Sequence, residues 1–262
     1  MEKITDIKKI QGRLLDIAKV VSTILESHHI TPILAYGSLL GAVRHKGFIP
    51  WDDDMDFYVP YEKYNVIKAI LSKELPPPYR LLSFPETENY YTPFLKVEDT
   101  RTLIDEKSLY GKIEDKFGLT LDMFPLSCVC SNDLNIRKIW MWMKIQRVIF
   151  TRDIYKRNYI LATKFLLRLI TPFRQDYCVK KIYDLTAKLK KGDNVFSIWG
   201  YMDKREMLPV DYFEHLGKYK FEDSEFYGPE DYDTYLRCCY GDYMTLPPEK
   251  EREYHADNVY VK

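Results

Sequence analysis

"GFIPWDDDMDF", residues 47–57, sets Asp52, Asp53, Asp54 and Asp56 directly behind Trp51. At neutral pH these side chains repel one another, and the repulsion grows as they leave water. Read as a strand, the segment puts Asp52, Asp54 and Asp56 on one face and Met55 and Phe57 on the other, towards a core. Asp53 falls on the apolar side at the entry of the strand. Three carboxylates on one face of a short strand are a poor structural choice unless they hold a hard divalent cation, Mg²⁺ or Mn²⁺.

Two neighbouring segments add to this pattern. In "AYGSLLGAVRHKG", Gly37 and Ser38 stand where a strand ends and a helix begins, where backbone N–H groups and a hydroxyl can cradle a phosphate. In "FGLTLDMFPL" (117–126), Phe117, Leu119 and Leu121 alternate with Gly118, Thr120 and Asp122, so Asp122 can complete the carboxylate set from another strand. A phosphate cradle beside strand-borne carboxylates is equipment for phosphoryl or nucleotidyl transfer.

The rest of the chain reads as α+β. Residues 4–28 carry Ile7, Ile10, Leu14, Ile17, Val21 and Ile24 at helical spacing. "MDFYVP", "YRLLSF", "PFLKVED" and "RTLIDE" read as strands, and "YEKYNVIKAILSK" as a helix. Residues 135–191 read as two or three helices, and the Tyr-rich C-terminal part as a mixed segment returning to the sheet. Lys plus Arg (39) balances Asp plus Glu (39), so no global field points to nucleic acid. "MEKITDIKKI" does not read as a secretory signal, and no apolar run reaches membrane-spanning length. The five cysteines (Cys128, Cys130, Cys178, Cys238 and Cys239) lack the spacing of a zinc site. Their odd number favours reduced thiols in the cytoplasm, with the cysteines as buried small hydrophobes.

Residue spacing alone leaves several readings open. A calcium loop starting at Asp52 fails, because Phe57 and Lys63 stand where Gly and Glu are needed. A glycosyltransferase Asp54-x-Asp56 motif has only about fifty residues before it, little room for a nucleotide-binding unit. An acidic binding module and a solvated acidic turn both remain.

"YGSLLGAVRHKGFIPWDDDMDF" (36–57), "LTLDMFPL" (119–126) and "YGDYMTLPPEKE" (240–251) together resemble the LicD family, bacterial phosphocholine transferases related to the fukutin group. The resemblance implies one catalytic domain over 1–262 with a nucleotidyltransferase fold of the polymerase-β kind, a mixed sheet core with added helices. It implies transfer of an alcohol phosphate, typically phosphocholine, from a CDP-alcohol to a cell-surface glycan precursor such as teichoic acid or lipopolysaccharide, with CMP released. By the same resemblance Gly37 and Ser38 form the glycine-serine turn, Asp54 and Asp56 the metal pair and Asp122 the third carboxylate. Asp52 belongs to the motif with a less defined role.

Beside these, Arg44, His45 and Lys46 lie between cradle and carboxylates and can offset diphosphate charge. Lys96, among the apolar residues of "PFLKVED", is a second candidate for the phosphates, and Arg101 a weaker one. His255 is a candidate acid or base with a packing role as its rival. Tyr240 and Tyr243 read as packing residues, although so many tyrosines could also cage a quaternary amine. Between Asn135 and Arg174 ten Lys and Arg face a single acid, Asp153, among Trp140, Trp142, Phe150, Tyr155, Tyr159 and Phe165. Such helices rest on anionic membrane surfaces, here the inner face where a lipid-linked acceptor would sit, or pack on a sheet with their charges in solvent.

Overall fold

The computed structural model describes residues 1–104, 117–150, 175–197, 200, 207–252 and 259–262. Helix α1 (Ile7–Ser27) buries Ile10, Leu14, Ile17, Ala18, Val21 and Leu25 along one stripe. It starts at Ile7, the first residue of the apolar spacing and three residues into the segment 4–28, because Asp6 caps it, accepting from the Lys8 amide at 2.9 Å. The residues before the cap form a strand, β1 (Glu2–Ile4), whose partner β12 (Val259–Val261) lies at the other end of the sequence.

The chain then runs through β2 (Ile33–Leu34), α2 (Tyr36–His45), β3 (Asp56–Pro60), α3 (Tyr64–Glu74), β4 (Tyr79–Leu82), β5 (Leu95–Asp99) and β6 (Thr102–Ile104). After β7 (Leu119–Val129) come α4 (Leu134–Phe150), α5 (Gln175–Thr186), β8 (Asn194–Ser197) and β9 (Met207–Pro209). The described chain closes with α6 (Asp211–Glu214), β10 (Leu216–Phe221), β11 (Ser224–Pro229), α7 (Tyr232–Tyr240) and β12. The class is α+β.

Among the described residues the main sheet has the order β10-β11-β2-β3-β7-β5-β4, with β8 and β9 continuing from β7. It is mixed: β3 runs parallel to β7 and β11 parallel to β2, while the other pairs are antiparallel. Strands β8 to β11 bring the C-terminal part back to this sheet, as expected. A second sheet, β1-β12-β6, ties the chain ends together. Helix α1 packs across β5 and β7. On the strands, Phe57, Leu95, Val97, Leu119, Leu121 and Met123 are almost completely buried, and the polar residues alternate with them.

One strand is shorter than its alternation suggests. β3 begins at Asp56, and Asp52 and Asp54 precede it. β2 is two residues long and on the β3 side pairs only with Phe57 and Tyr58, so 52–55 have no β2 ladder to join. Residues 49–52 close a turn instead, with the Asp52 amide donating to the Ile49 carbonyl at 2.9 Å. Asp53 is buried in this non-strand segment.

The described part of the basic helical segment packs inward. α4 lies against α5, Trp140 meets Phe196 edge-on at 6.0 Å, and Trp142 meets Tyr177 at 5.6 Å. Arg137, Lys138 and Lys144 remain exposed. Residues 151–174, with Tyr155, Tyr159 and Phe165, lie outside the described residues, as does His255. No helix among the described residues is long and apolar enough to cross a membrane. Of the cysteines, Cys178 and Cys239 are buried, Cys238 is exposed, and Cys128 and Cys130 are half-buried.

Candidate active site

Sheet register assembles the centre of the site. Asp56 on β3 is the pairing partner of Asp122 on β7, and Asp122 is in turn the partner of Lys96 on β5. Three candidate side chains thus stand in one row across three adjacent strands, although Asp56 is 66 positions and Lys96 is 26 positions from Asp122 in the sequence. The Lys96 ammonium lies 2.8 Å from Asp122 Oδ2, and the Thr120 hydroxyl donates to Asp122 Oδ1 at 3.1 Å.

One step along the strands the row is aromatic. Tyr58 pairs with Phe124, and the Phe94 and Phe124 ring centroids are 4.5 Å apart. The Lys96 ammonium lies 5.4 Å from the Phe94 centroid, within cation–π range. Tyr36, at the start of α2, packs on Tyr58 and Phe124 with centroid separations of 5.2 and 5.3 Å.

Helix α2 is fixed to this row. Ser38 Oγ accepts from the Asp56 amide at 2.8 Å, joining the helix start to the first residue of β3. Tyr36 has φ +44°, a left-handed conformation for a non-glycine residue that costs about 1–3 kcal/mol. Burial holds it there, together with its amide donating to Tyr235 Oη and its hydroxyl donating to Ser197 Oγ, both at 3.1 Å. A Cβ added at Gly37 would stand 2.9 Å from Asp52 Oδ2, so the glycine lets the Asp52 carboxylate lie against the first turn. The positive end of the helix dipole favours a negative charge there. The amides of Ser38 and Leu39 return to the Ala35 carbonyl.

The carboxylates perturb each other strongly. Burial pushes the Asp52 carboxyl up to about 9, and the charge of Asp54, a hydrogen bond with Asp54 and the charge of Asp53 add to it. Burial also lifts Asp56 well above the usual carboxylate range, reinforced by Asp54, Asp122 and Asp52 and partly offset by Lys96. A donor set made only of carboxylate oxygens, sharing more negative charge than one lysine can balance, fits a hard divalent cation in chemistry. Among the described residues no three His, Cys, Asp or Glu side chains are drawn together closely enough to form a ready-made metal site.

The remaining candidates lie elsewhere or act differently. Arg44 ends α2 with its guanidinium donating to the Tyr243 carbonyl and, at 2.9 Å, to His45 Nε2. Burial, and then the Arg44 charge, pull the His45 imidazole below its ordinary value, which suits its acceptor role. Lys46 caps α2 in a left-handed conformation. Arg101 lies 2.8 Å from Asp99, which also holds Arg13 at 2.8 Å. Tyr243 is buried and donates to Asp233 at 2.7 Å, packing the C-terminal segment. Sequence reasoning passed over Gln11, whose side chain reaches the acidic loop from α1. Its only signal was a polar residue within the apolar stripe, at helical spacing from Leu14, Leu15 and Ala18.

The carboxylate row and the adjoining glycine-serine helix start lie inside the region, residues 29–160, matched by the family model described as "LicD/FKTN/FKRP, nucleotidyltransferase domain". The chain belongs to the LicD family. It is 30% identical over 274 aligned residues to the lipopolysaccharide cholinephosphotransferase LicD of Haemophilus influenzae, covering 100% of both chains. A shorter likeness, 38% over 58 residues and 22% of each chain, connects it with the uncharacterized protein RP689 of Rickettsia prowazekii.

Proposed function

We propose that this chain transfers phosphocholine from a CDP-choline-type donor to a lipopolysaccharide or related cell-surface glycan precursor, releasing CMP. The row Asp56–Asp122–Lys96 is the observation that carries the reading, because it sets paired carboxylates beside a cation on one strand face. The full-length likeness to a lipopolysaccharide cholinephosphotransferase supports the choice of transferred group and acceptor. In fold this reading corresponds to a polymerase-β-like nucleotidyltransferase core with added helices.

Asp54, Asp56 and Asp122 would hold Mg²⁺ or Mn²⁺, with Asp52 beside them; the ion would supply charge neutralisation of the diphosphate and of the departing CMP oxygen. Lys96 binds a phosphate oxygen as a point charge. Asp122 accepts the proton of the attacking sugar hydroxyl as that oxygen forms its bond to the distal phosphorus and the bond to CMP breaks. Gly37 and Ser38 keep the helix start close to the donor phosphates. The exposed bases of α4 contribute to salt-sensitive contact with the anionic inner face of a membrane, where a lipid-linked acceptor would reside.

The test is to offer CDP-choline, CDP-ethanolamine, CDP-glycerol and CDP-ribitol with Mg²⁺ and the acceptor, and to follow CMP. Release from CDP-choline is the expected result. The family description favours one second reading, nucleotidyl transfer, which would release pyrophosphate and leave the nucleotide on the acceptor.

A further inference from the structure

The four carboxylates of the site are fixed in two different ways. Asp56 and Asp122 are strand residues, and the β3–β7 ladder sets their positions. Asp52 and Asp54 precede the strand, and something else has to hold their loop. We infer that Gln11 is the positioning residue for this loop: from inside α1 it holds residues 49–52 so that Asp52 and Asp54 stay beside the strand-borne pair.

Gln11 is 2% exposed, and its amide nitrogen donates to two carbonyls of the loop, Ile49 at 3.1 Å and Asp52 at 2.8 Å. Both partners are acceptors, so the side chain's orientation is fixed: only the NH₂ end can face them. The Ile49 carbonyl also takes the Asp52 amide at 2.9 Å, so one side chain and one turn bond converge on it. The Asp52 carboxylate in turn lies against Gly37. Gln11 thus ties α1 to the backbone at the base of the acidic loop, close to the start of α2.

The other end of the amide argues against a purely structural role. Gln11 Oε1 is buried and finds no hydrogen-bond donor among the described residues. A residue kept only to fill the core beneath α1 would be apolar, as Ile10, Leu14 and Ala18 are, and would leave no orphaned acceptor. The amide serves the loop, in the manner of the outer-shell partners that orient metal ligands. This inference rests on the reading of the carboxylates as a divalent-cation site.

The experiment is a titration of the full chain with MgCl₂ alone, followed by calorimetry and by the rise in Tm above each variant's own metal-free value. Gln11→Met keeps the side-chain length and removes both donors. It should raise the Mg²⁺ concentration for half-maximal response about 10-fold or more. Gln11→Glu, of the same length and with no NH₂ to offer the carbonyls, should do the same. Ile10→Val, a core truncation one residue away, should lower Tm and leave the Mg²⁺ midpoint where it is in the wild type. If both Gln11 variants keep the wild-type midpoint, the side chain is ordinary core and the inference falls alone. An equal displacement in Ile10→Val would reduce the effect to general loosening and overturn it too. A wild-type chain indifferent to Mg²⁺ overturns the metal reading and this inference with it.

Discussion

Asp56 and Asp122 are direct partners in a parallel ladder, so the backbone of two strands brings two carboxylates side by side. Parallel pairing across so much intervening chain makes this a property of the fold and not of a local turn. The repulsion contributes to the rise of the Asp56 carboxyl well above its ordinary value, with burial as the larger cause.

Asp56→Asn and Asp122→Asn are expected to separate catalysis from folding. Each should lower kcat by about 10²-fold or more, the loss of several kcal/mol of transition-state charge stabilisation. Asp56→Asn should hold or raise Tm in the absence of metal, because one of the mutually repelling charges is gone. CMP release with Mg²⁺ and CDP-choline reads the first effect and a thermal melt the second. Full turnover in either variant removes that residue from the site.

Asp52 gives a pH prediction with a definite sign. Its folded-state pKa is about 9, above the ordinary carboxylate value of about 4 in the unfolded chain. The folded state therefore binds the extra proton between these limits. The stabilising contribution is complete below about pH 4 and is lost as pH rises towards 9. Asp52→Asn cannot ionise in either state, so it should melt higher than wild type without divalent cation, by a margin that widens from pH 5 to 9. For a chain of this size each kcal/mol corresponds to about 2–4 °C. Asp99 and Asp133, whose carboxyls are held low and whose stability trends run the other way, cancel in the comparison. Parallel melting curves would show that Asp52 does not carry this proton.

The sequence offers both Lys96, with its apolar neighbours, and Arg44 as candidates for the donor phosphates, and their surroundings distinguish them. Lys96→Met removes the cation 2.8 Å from Asp122 and should raise KM for the donor more than it lowers kcat, with about 10-fold or more lost in kcat/KM. Because both side chains are partly exposed, the stability change should stay near 1 kcal/mol. Arg44→Leu breaks the bond from α2 to the Tyr243 carbonyl and should act in the opposite sense. It should lose about 1–3 kcal/mol of stability with a smaller change in kcat/KM. Reversed effects would return Arg44 to the donor phosphates and make Lys96 scaffold.

These contrasts also mark what the sequence could show. Alternation alone predicted that Met55, Phe57, Leu119 and Leu121 face a core and that Asp56 and Asp122 share the opposite type of surface. It could not supply register, because the pairing of 56 with 122 and of 122 with 96 depends on which strands meet. The same alternation carried the strand back to Asp52, where two-residue β2 offers it no ladder. The turn that replaces it takes hydrogen bonds from Gln11, a contact across 41 residues whose only local trace is a polar residue in an apolar stripe. Arg44 is near the carboxylates in sequence and turns to Tyr243, 199 residues away, for the same reason.

The membrane proposal now rests on fewer groups. Trp140 and Trp142 pack against Phe196 and Tyr177, so they are not available to an apolar membrane face. Arg137, Lys138 and Lys144 are exposed on α4, where they supply charge without Trp140 and Trp142 as anchors. Binding through such residues is electrostatic and should fall as salt shortens the Debye length, to about 10 Å at 0.1 M. Sedimentation with phosphatidylserine-containing vesicles should therefore carry the protein down at low salt and release it as salt rises. Replacing Arg137, Lys138 and Lys144 together by Gln should weaken this binding by up to about 1 kcal/mol per residue and leave CDP-choline binding unchanged. Wild-type protein that stays in the supernatant at low salt would make α4 an ordinary packed helix with solvated charges.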